Sequence, residues 1–166
     1  MKYAVIDVGS NTVRLCVYDV LCPEKRKFKT IMNRKIMAGL AAYIVDGAFS
    51  DEGIAEAILA VKKCIKRASY LSPNRIDVFA TAVLRNILNS AQAIAAIEQG
   101  AGCTISLLSN ADEAHLGFVG ASSRGTLDDG ALIDIGGGST EITVIENGID
   151  VARTSLPQGS LSSYKR

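Results

Sequence analysis

Two carboxylates stand at matching places in the chain, each one apolar residue ahead of a glycine-led loop. Asp7 precedes Gly9-Ser10-Asn11-Thr12, and Asp134 precedes Gly136-Gly137-Gly138-Ser139-Thr140. Loops of this kind bring backbone N–H groups together on an anion, because a missing Cβ permits positive φ and close approach of the ligand. Ser10, Thr12, Ser139 and Thr140 add hydroxyl donors. No Lys follows either loop, so the strand–loop–helix phosphate grip built on Gly-Lys-Ser/Thr does not apply. An acid beside a bound phosphate is repelled unless a cation lies between them. Mg²⁺ meets that need, since it takes one or two carboxylates and completes its shell with waters and phosphate oxygens. Asp7 and Asp134 are therefore candidate metal ligands, and Glu141, which closes the second loop, is a candidate holder of a metal-bound water.

Transfer of a phosphoryl group to water also needs a group that activates the water and a cation that spreads the developing charge. Glu113 and Arg85 are the candidates. Glu113 falls in the first turn of an expected helix, where the helix dipole favours an ionised carboxylate; on local sequence alone it reads equally as an acid complementing a helix N-terminus. Arg85 follows Ala80-Thr81-Ala82-Val83-Leu84, a strand end running into a helical turn that Thr81 could cap, so its guanidinium faces either a cleft or solvent. His115 lies two residues beyond Glu113, on a different face of the same helix, and reads as a bystander or packing residue.

These groups have to be placed by the elements around them. Residues 2–8 and 12–20 read as strands joined through the first loop, and residues 26–33 as a third strand. Ser50 is a candidate N-cap, with Phe49 and Ile54 as a hydrophobic staple. Ile54, Ile58, Val61, Cys64, Ile65 and Ala68 then recur at helical spacing. Residues 76–80 form a short strand, residues 90–99 a helix stopped by Gly100, and residues 104–108 another strand. Ser109-Asn110-Ala111-Asp112 has the form of a capping box with Asp in place of Glu, opening a helix to about Ser122. Residues 131–135 and 141–146 are strands flanking the second loop, and residues 148–154 a last strand entered through an Asn147-Gly148 turn. The sequence thus shows the same strand, loop, strand unit twice, within a mixed α/β chain.

Composition narrows the setting. At 166 residues the length suits one domain, and 48% hydrophobic with 21% charged residues describes a chain that folds around a core. Eighteen basic against 17 acidic residues leave +1, too little for a global field that would hold nucleic acid or anionic lipid, so an anion must be gripped locally. Asp7 interrupts the amino-terminal apolar run before a signal peptide could form, and no apolar stretch reaches bilayer length. Cys16, Cys22, Cys64 and Cys103 are scattered without a C-x-x-C pair, which favours free thiols in a reducing cytoplasm over a zinc site or a disulfide framework.

Four segments, in this order and spacing, resemble the exopolyphosphatase and guanosine pentaphosphate phosphohydrolase (Ppx/GppA) family of the sugar kinase, Hsp70 and actin superfamily. They are Ala4-Val5-Ile6-Asp7-Val8-Gly9-Ser10-Asn11-Thr12-Val13-Arg14-Leu15, Ala80-Thr81-Ala82-Val83-Leu84-Arg85-Asn86, Asp112-Glu113-Ala114, and Asp134-Ile135-Gly136-Gly137-Gly138-Ser139-Thr140-Glu141. The resemblance implies a ribonuclease H-like domain of the actin-like ATPase kind, a mixed sheet flanked by helices, over residues 1–155. Residues 156–166 would then be a crossover connector toward a second domain, with Leu161 to Arg166 beginning an element that has nothing to pack against. It further implies phosphate binding by Gly9, Ser10, Asn11, Arg85, Gly136, Gly137, Gly138, Ser139 and Thr140, Mg²⁺ near Asp7, Asp134 and Glu141, and Glu113 as the base that activates water. The implied substrate is inorganic polyphosphate or guanosine pentaphosphate, losing its terminal phosphate, in the cytoplasm. A homodimer is expected where surface meant for the second domain lies exposed.

Two departures from the family pattern stand out. Ser109-Asn110-Ala111-Asp112-Glu113 stands where the family usually shows Ser-Gly followed by paired glutamates before Ala, and Met37-Ala38-Gly39-Leu40 replaces an Arg-Leu-Gly stretch. Two other functions fit parts of the pattern. The second loop also resembles that of Hsp70 nucleotide domains, which nucleotide protection against heat unfolding would reveal. A non-catalytic phosphate-binding or assembly module would keep the loops without needing Glu113.

Overall fold

Strict alternation in the first strand decides which way the first loop's acid points. In β1 (Lys2–Val8), Ala4, Ile6 and Val8 are buried while Tyr3, Val5 and Asp7 lie half-buried on the opposite face. β2 (Thr12–Cys22) repeats the pattern with Val13, Leu15 and Val17, pairing antiparallel to β1 with Val8 opposite Val13 and Asp7 opposite Arg14. β3 (Lys27–Met37) runs four residues past the expected end, because β2 supplies pairing partners along its whole length out to Thr12 opposite Met37. The computed structural model describes residues 1–24, 27–123 and 125–164; residue 26, the expected start of β3, and residues 165–166, the end of the expected connector, lie outside them.

After β3 come a 3-10 turn (Leu40–Tyr43) and a hairpin of β4 (Ile44–Val45) and β5 (Ala48–Phe49). Its turn is Asp46-Gly47, both at positive φ (50° and 79°), as a two-residue type I′ turn requires. α1 (Asp51–Ser69) starts where expected, with the Ser50 hydroxyl accepting from the Gly53 N–H at 3.2 Å. Its Ala57, Ala60, Val61, Cys64 and Ala68 are buried against the β1–β2 face. Cys64 acts there as a small hydrophobe, and burial pushes its thiol pKa up.

β6 (Arg75–Ala80) adds to β1 in parallel, and β7 (Ile105–Leu107) adds to β6 in parallel, which completes a five-stranded mixed sheet in the order β3-β2-β1-β6-β7. Between them lie α2 (Ala82–Arg85) and α3 (Ser90–Ala101). α3 does not stop at Gly100. Its cap is Gly102 (φ 70°), whose N–H reaches the Glu98 carbonyl at 2.8 Å, and Gly100 instead lies where α1 comes close, with Ile58 filling the space of a Cβ.

The second half builds its own sheet. α4 (Asn110–Ser122) begins on the Ser109 cap and packs on β9 (Thr140–Glu146), β10 (Ile149–Leu156) and β8 (Gly130–Ile135), an antiparallel set in the order β10-β9-β8. Asn147 and Gly148, at φ 52° and 72°, make the expected turn into β10. The short α5 (Ser160–Tyr164) follows. The chain divides into two compact units, Met1–Leu107 and Leu108–Arg166. The expected single domain to residue 155 differs from this, because β8 hydrogen-bonds to β9 rather than joining the five-stranded sheet. No helix among the described residues is long and apolar enough to cross a membrane.

Candidate active site

In the first unit, the loop between β1 and β2 closes through the Gly9 N–H on the Thr12 carbonyl at 3.0 Å. The carbonyls behind it are taken up by the segment after β3: Ala38 and Gly39 donate to Asn11 O at 3.1 and 2.9 Å, and Ala41 donates to Ser10 O at 2.8 Å. Carbonyl oxygens repel an anion, so turning them onto this segment clears the loop's other side for donors. Ser10 is buried and Asn11 exposed. Arg85 ends α2 in the same unit, half-buried, with Nε and Nη2 shielded from solvent. Thr81 does not cap α2 through its side chain; its carbonyl accepts from Leu84 and Arg85 at 3.1 and 3.0 Å instead.

The second unit repeats the arrangement around its own loop. Gly136 N–H donates to Ser139 O at 2.9 Å. Ser160 N–H and Oγ donate to Gly136 O at 2.9 and 3.1 Å, and Leu161 N–H to Gly137 O at 3.0 Å. The start of α5, expected to have nothing to pack against, is thus bonded to the loop. Gly159 is buried against it so closely that a Cβ there would sit 2.6 Å from the Gly136 and Gly137 carbonyl oxygens. Thr140 spends its hydroxyl proton on the Gln158 carbonyl at 2.6 Å, which leaves Ser139, buried at the loop's base, as the other side-chain donor.

Asp134 and Glu141 are directly opposite each other across β8 and β9, so both point to one face of the sheet. Thr143, two residues on, shares that face and reaches α4, its hydroxyl donating to Ala114 O at 3.4 Å; Asp134 Oδ2 lies 3.9 Å from the Cβ position of Gly117 on α4. Two carboxylates therefore lie beneath the helix whose first turn carries Glu113. Asp134 is exposed, while Glu141 is buried with Oε1 accepting from Ser155 Oγ at 2.9 Å.

Glu113 is half-buried and its N–H donates to Ser109 O at 2.9 Å. The cap differs from a full capping box. Ser109 Oγ accepts from Asp112 N–H at 3.1 Å and donates to Asp112 Oδ2 at 2.6 Å, so the acid grips the cap's hydroxyl rather than its backbone N–H. His115 is no bystander, since its Nδ1 lies 2.7 Å from Asp150 Oδ2, and Arg153 Nε donates to the same oxygen at 2.6 Å. The Arg153 bond first, then the His115 bond, hold the Asp150 carboxyl down at a pKa of about 2. Asp150, Arg153, Gly159 and Ser160 were not foreseeable as partners, because nothing local in the sequence ties them to α4 or to the second loop.

Among the described residues no cluster of three or more His, Cys, Asp or Glu forms a ready metal cage. The donor chemistry fits Mg²⁺ in the mode that needs none: one exposed carboxylate such as Asp134, with the shell completed by water and phosphate.

An α/β chain with this sheet and paired glycine loops has the actin-like ATPase fold. Its sequence matches the Ppx/GppA phosphatase family over residues 22–165, and the chain belongs to that family. An exopolyphosphatase from Cytophaga hutchinsonii superposes with a TM-score of 0.89 at 24% identity, over 99% of this chain and 53% of its own length. The Ppx/GppA phosphatase of Aquifex aeolicus gives 0.80 at 23%, covering 96% and 53%. The ethanolamine utilization protein EutJ of Carboxydothermus hydrogenoformans gives 0.56 at 23%, covering 99% and 57%. The chain thus spans about half the length of these structures.

Proposed function

We propose that this chain provides the phosphate-handling residues of a Mg²⁺-dependent phosphohydrolase that removes the terminal phosphate of inorganic polyphosphate. The observation that carries the reading is the duplicated loop, whose rear carbonyls are captured twice over by backbone and serine N–H or O–H donors. Gly9, Ser10 and Asn11, with Gly136, Gly137, Gly138 and Ser139, would bind phosphoryl oxygens, and Arg85 would offset their charge. Asp7 in the first unit and Asp134 in the second are each candidate carboxylate ligands of the ion, and Glu141 would hold a water bound to it; the ion supplies charge neutralisation on the phosphate. Glu113 would take the proton of the attacking water as the bridging P–O bond breaks, which yields inorganic phosphate and a chain one unit shorter. Guanosine pentaphosphate presents the same terminal group and is the second candidate substrate, and a cytoplasmic setting suits both.

Glu113→Gln tests the assignment. Phosphate release from polyphosphate with Mg²⁺ should fall by at least ~100-fold, the usual scale for a general base, while Mg²⁺-dependent polyphosphate binding persists. Equal release by the two proteins removes Glu113 from the chemistry. Binding without release in the unaltered chain supports the non-catalytic module instead.

A further inference from the structure

The strand that faces α4 carries a bulge whose effect is chemical. Between β9 and β10 the register steps from Asp150 opposite Ile145 to Ala152 opposite Val144, which leaves Val151 as the extra residue. In an unbroken strand Asp150 and Arg153 would point to opposite faces, because side chains alternate with period two. The bulge puts them on the same face, together with Ser155 opposite Glu141, so that Asp150 and Arg153 both look toward α4. Asp150 has a side chain only 7% exposed, and its Oδ2 takes both His115 Nδ1 and Arg153 Nε.

An apolar pair at this place would hold helix and strand together without burying a charge, and commonly at no loss of stability. A directional contact adds control of orientation. α4 is gripped from β9 and β10 at successive residues: Ala114 O under the Thr143 hydroxyl, and His115 on Asp150. Residues two apart on a helix lie about 200° apart around its axis, so His115 holds the side of α4 turned away from Glu113. A side chain tip lies about 6 Å from that axis, so a roll of about 10° shifts it by about 1 Å, and misplacement on that scale costs roughly 100-fold in rate where geometry is demanding.

We infer that His115, anchored by Asp150 and Arg153, is a positioning residue that fixes the roll of α4 and thereby aims the Glu113 carboxylate. The inference rests on the proposed role of Glu113. Polyphosphate hydrolysis by the 166-residue chain with Mg²⁺ is measured alongside amide exchange of residues 113–117. His115→Ala and Asp150→Ala should each lower kcat about tenfold and leave KM within about twofold, with the double variant no worse than either single one, since the pair acts as a unit. His115→Asn, whose amide nitrogen takes the place of Nδ1, should recover most of the loss. Additive losses, an unchanged kcat in His115→Ala, or no recovery in His115→Asn would overturn the inference. If the unaltered chain releases no phosphate, the proposed function fails and the strut is decided by exchange alone. Faster exchange at 113–117 in both single variants, with no further change in the double, sustains it, and unchanged protection refutes it.

Discussion

In the Gly9–Thr12 loop, the captured carbonyls belong to Ser10 and Asn11 and the capturing amides to Ala38, Gly39 and Ala41; in the Gly136–Ser139 loop, Gly136 and Gly137 are captured by Ser160 and Leu161. Both devices sit just after the third strand of an antiparallel trio, and both contain a glycine. The glycines answer different demands. Gly39 has φ 59° and open space where a Cβ would go, whereas Gly159 meets backbone at 2.6 Å. One position requires a left-handed backbone, the other the absence of a side chain. Sharing a motif therefore does not make the two loops equally tolerant of change.

Gly159→Ala should produce the largest effect. Its added methyl strikes main-chain carbonyls that cannot swing aside, so either α5 lifts off or the second loop deforms, at a cost at or beyond the upper end of about 1–3 kcal/mol for overpacking. Thermal unfolding should fall and stabilisation by polyphosphate with Mg²⁺ should vanish. Unchanged values would mean that α5 yields freely, and the comparison would break. Gly39→Ala should cost about 1–2 kcal/mol through backbone strain alone. Gly39→Asn should regain much of that, because Asn tolerates the left-handed region, and Gly159→Asn should regain nothing. Both are read from unfolding midpoints.

The repeated unit could be found because Asp, glycine and small polar residues mark strand–loop–strand turns locally. The Ser50 and Ser109 caps were legible for the same reason. The β4–β5 hairpin was not predicted, although Asp46-Gly47 signals a type I′ turn, because the flanking strands are only two residues each and carry no period. The end of α3 was misplaced since two glycines, Gly100 and Gly102, compete for the cap, and only the packing of α1 decides between them. Capture of the loop carbonyls joins residues more than twenty positions apart, and a bulge at Val151 cannot be read from β10 alone. Those features depend on register, which the sequence of one strand does not fix.

A smaller difference between the loops lies in the threonine at the end of each. Thr12 contributes its carbonyl to the first loop, while Thr140 adds a hydroxyl bond to Gln158 O in the second. Thr140→Val keeps the shape and removes that bond, and should lower stability by about 1 kcal/mol. Thr12→Val should cost less. A reversed order would show that the Gln158 contact does little to hold the segment after β10.

Acid should separate the two units more gently still. The first loop's carbonyls are captured by main-chain amides, whose bonds do not titrate, whereas α4 is fastened to β10 through the Asp150 carboxylate. Asp150 is held at about 2 against an ordinary 3.8, first by the Arg153 bond and then by His115. Above about pH 4 its contribution is complete, since the carboxyl is ionised whether the chain is folded or not. As pH falls below that value the unfolded form takes up the proton first, so the contribution declines and is gone once pH passes below about 2. Amide exchange over residues 113–117 should therefore quicken across that interval while the amides of Ala38, Gly39 and Ala41 keep their protection. Asp150→Asn should flatten the change in the second unit, and a slope that persists in that variant would place the acid response on another carboxylate.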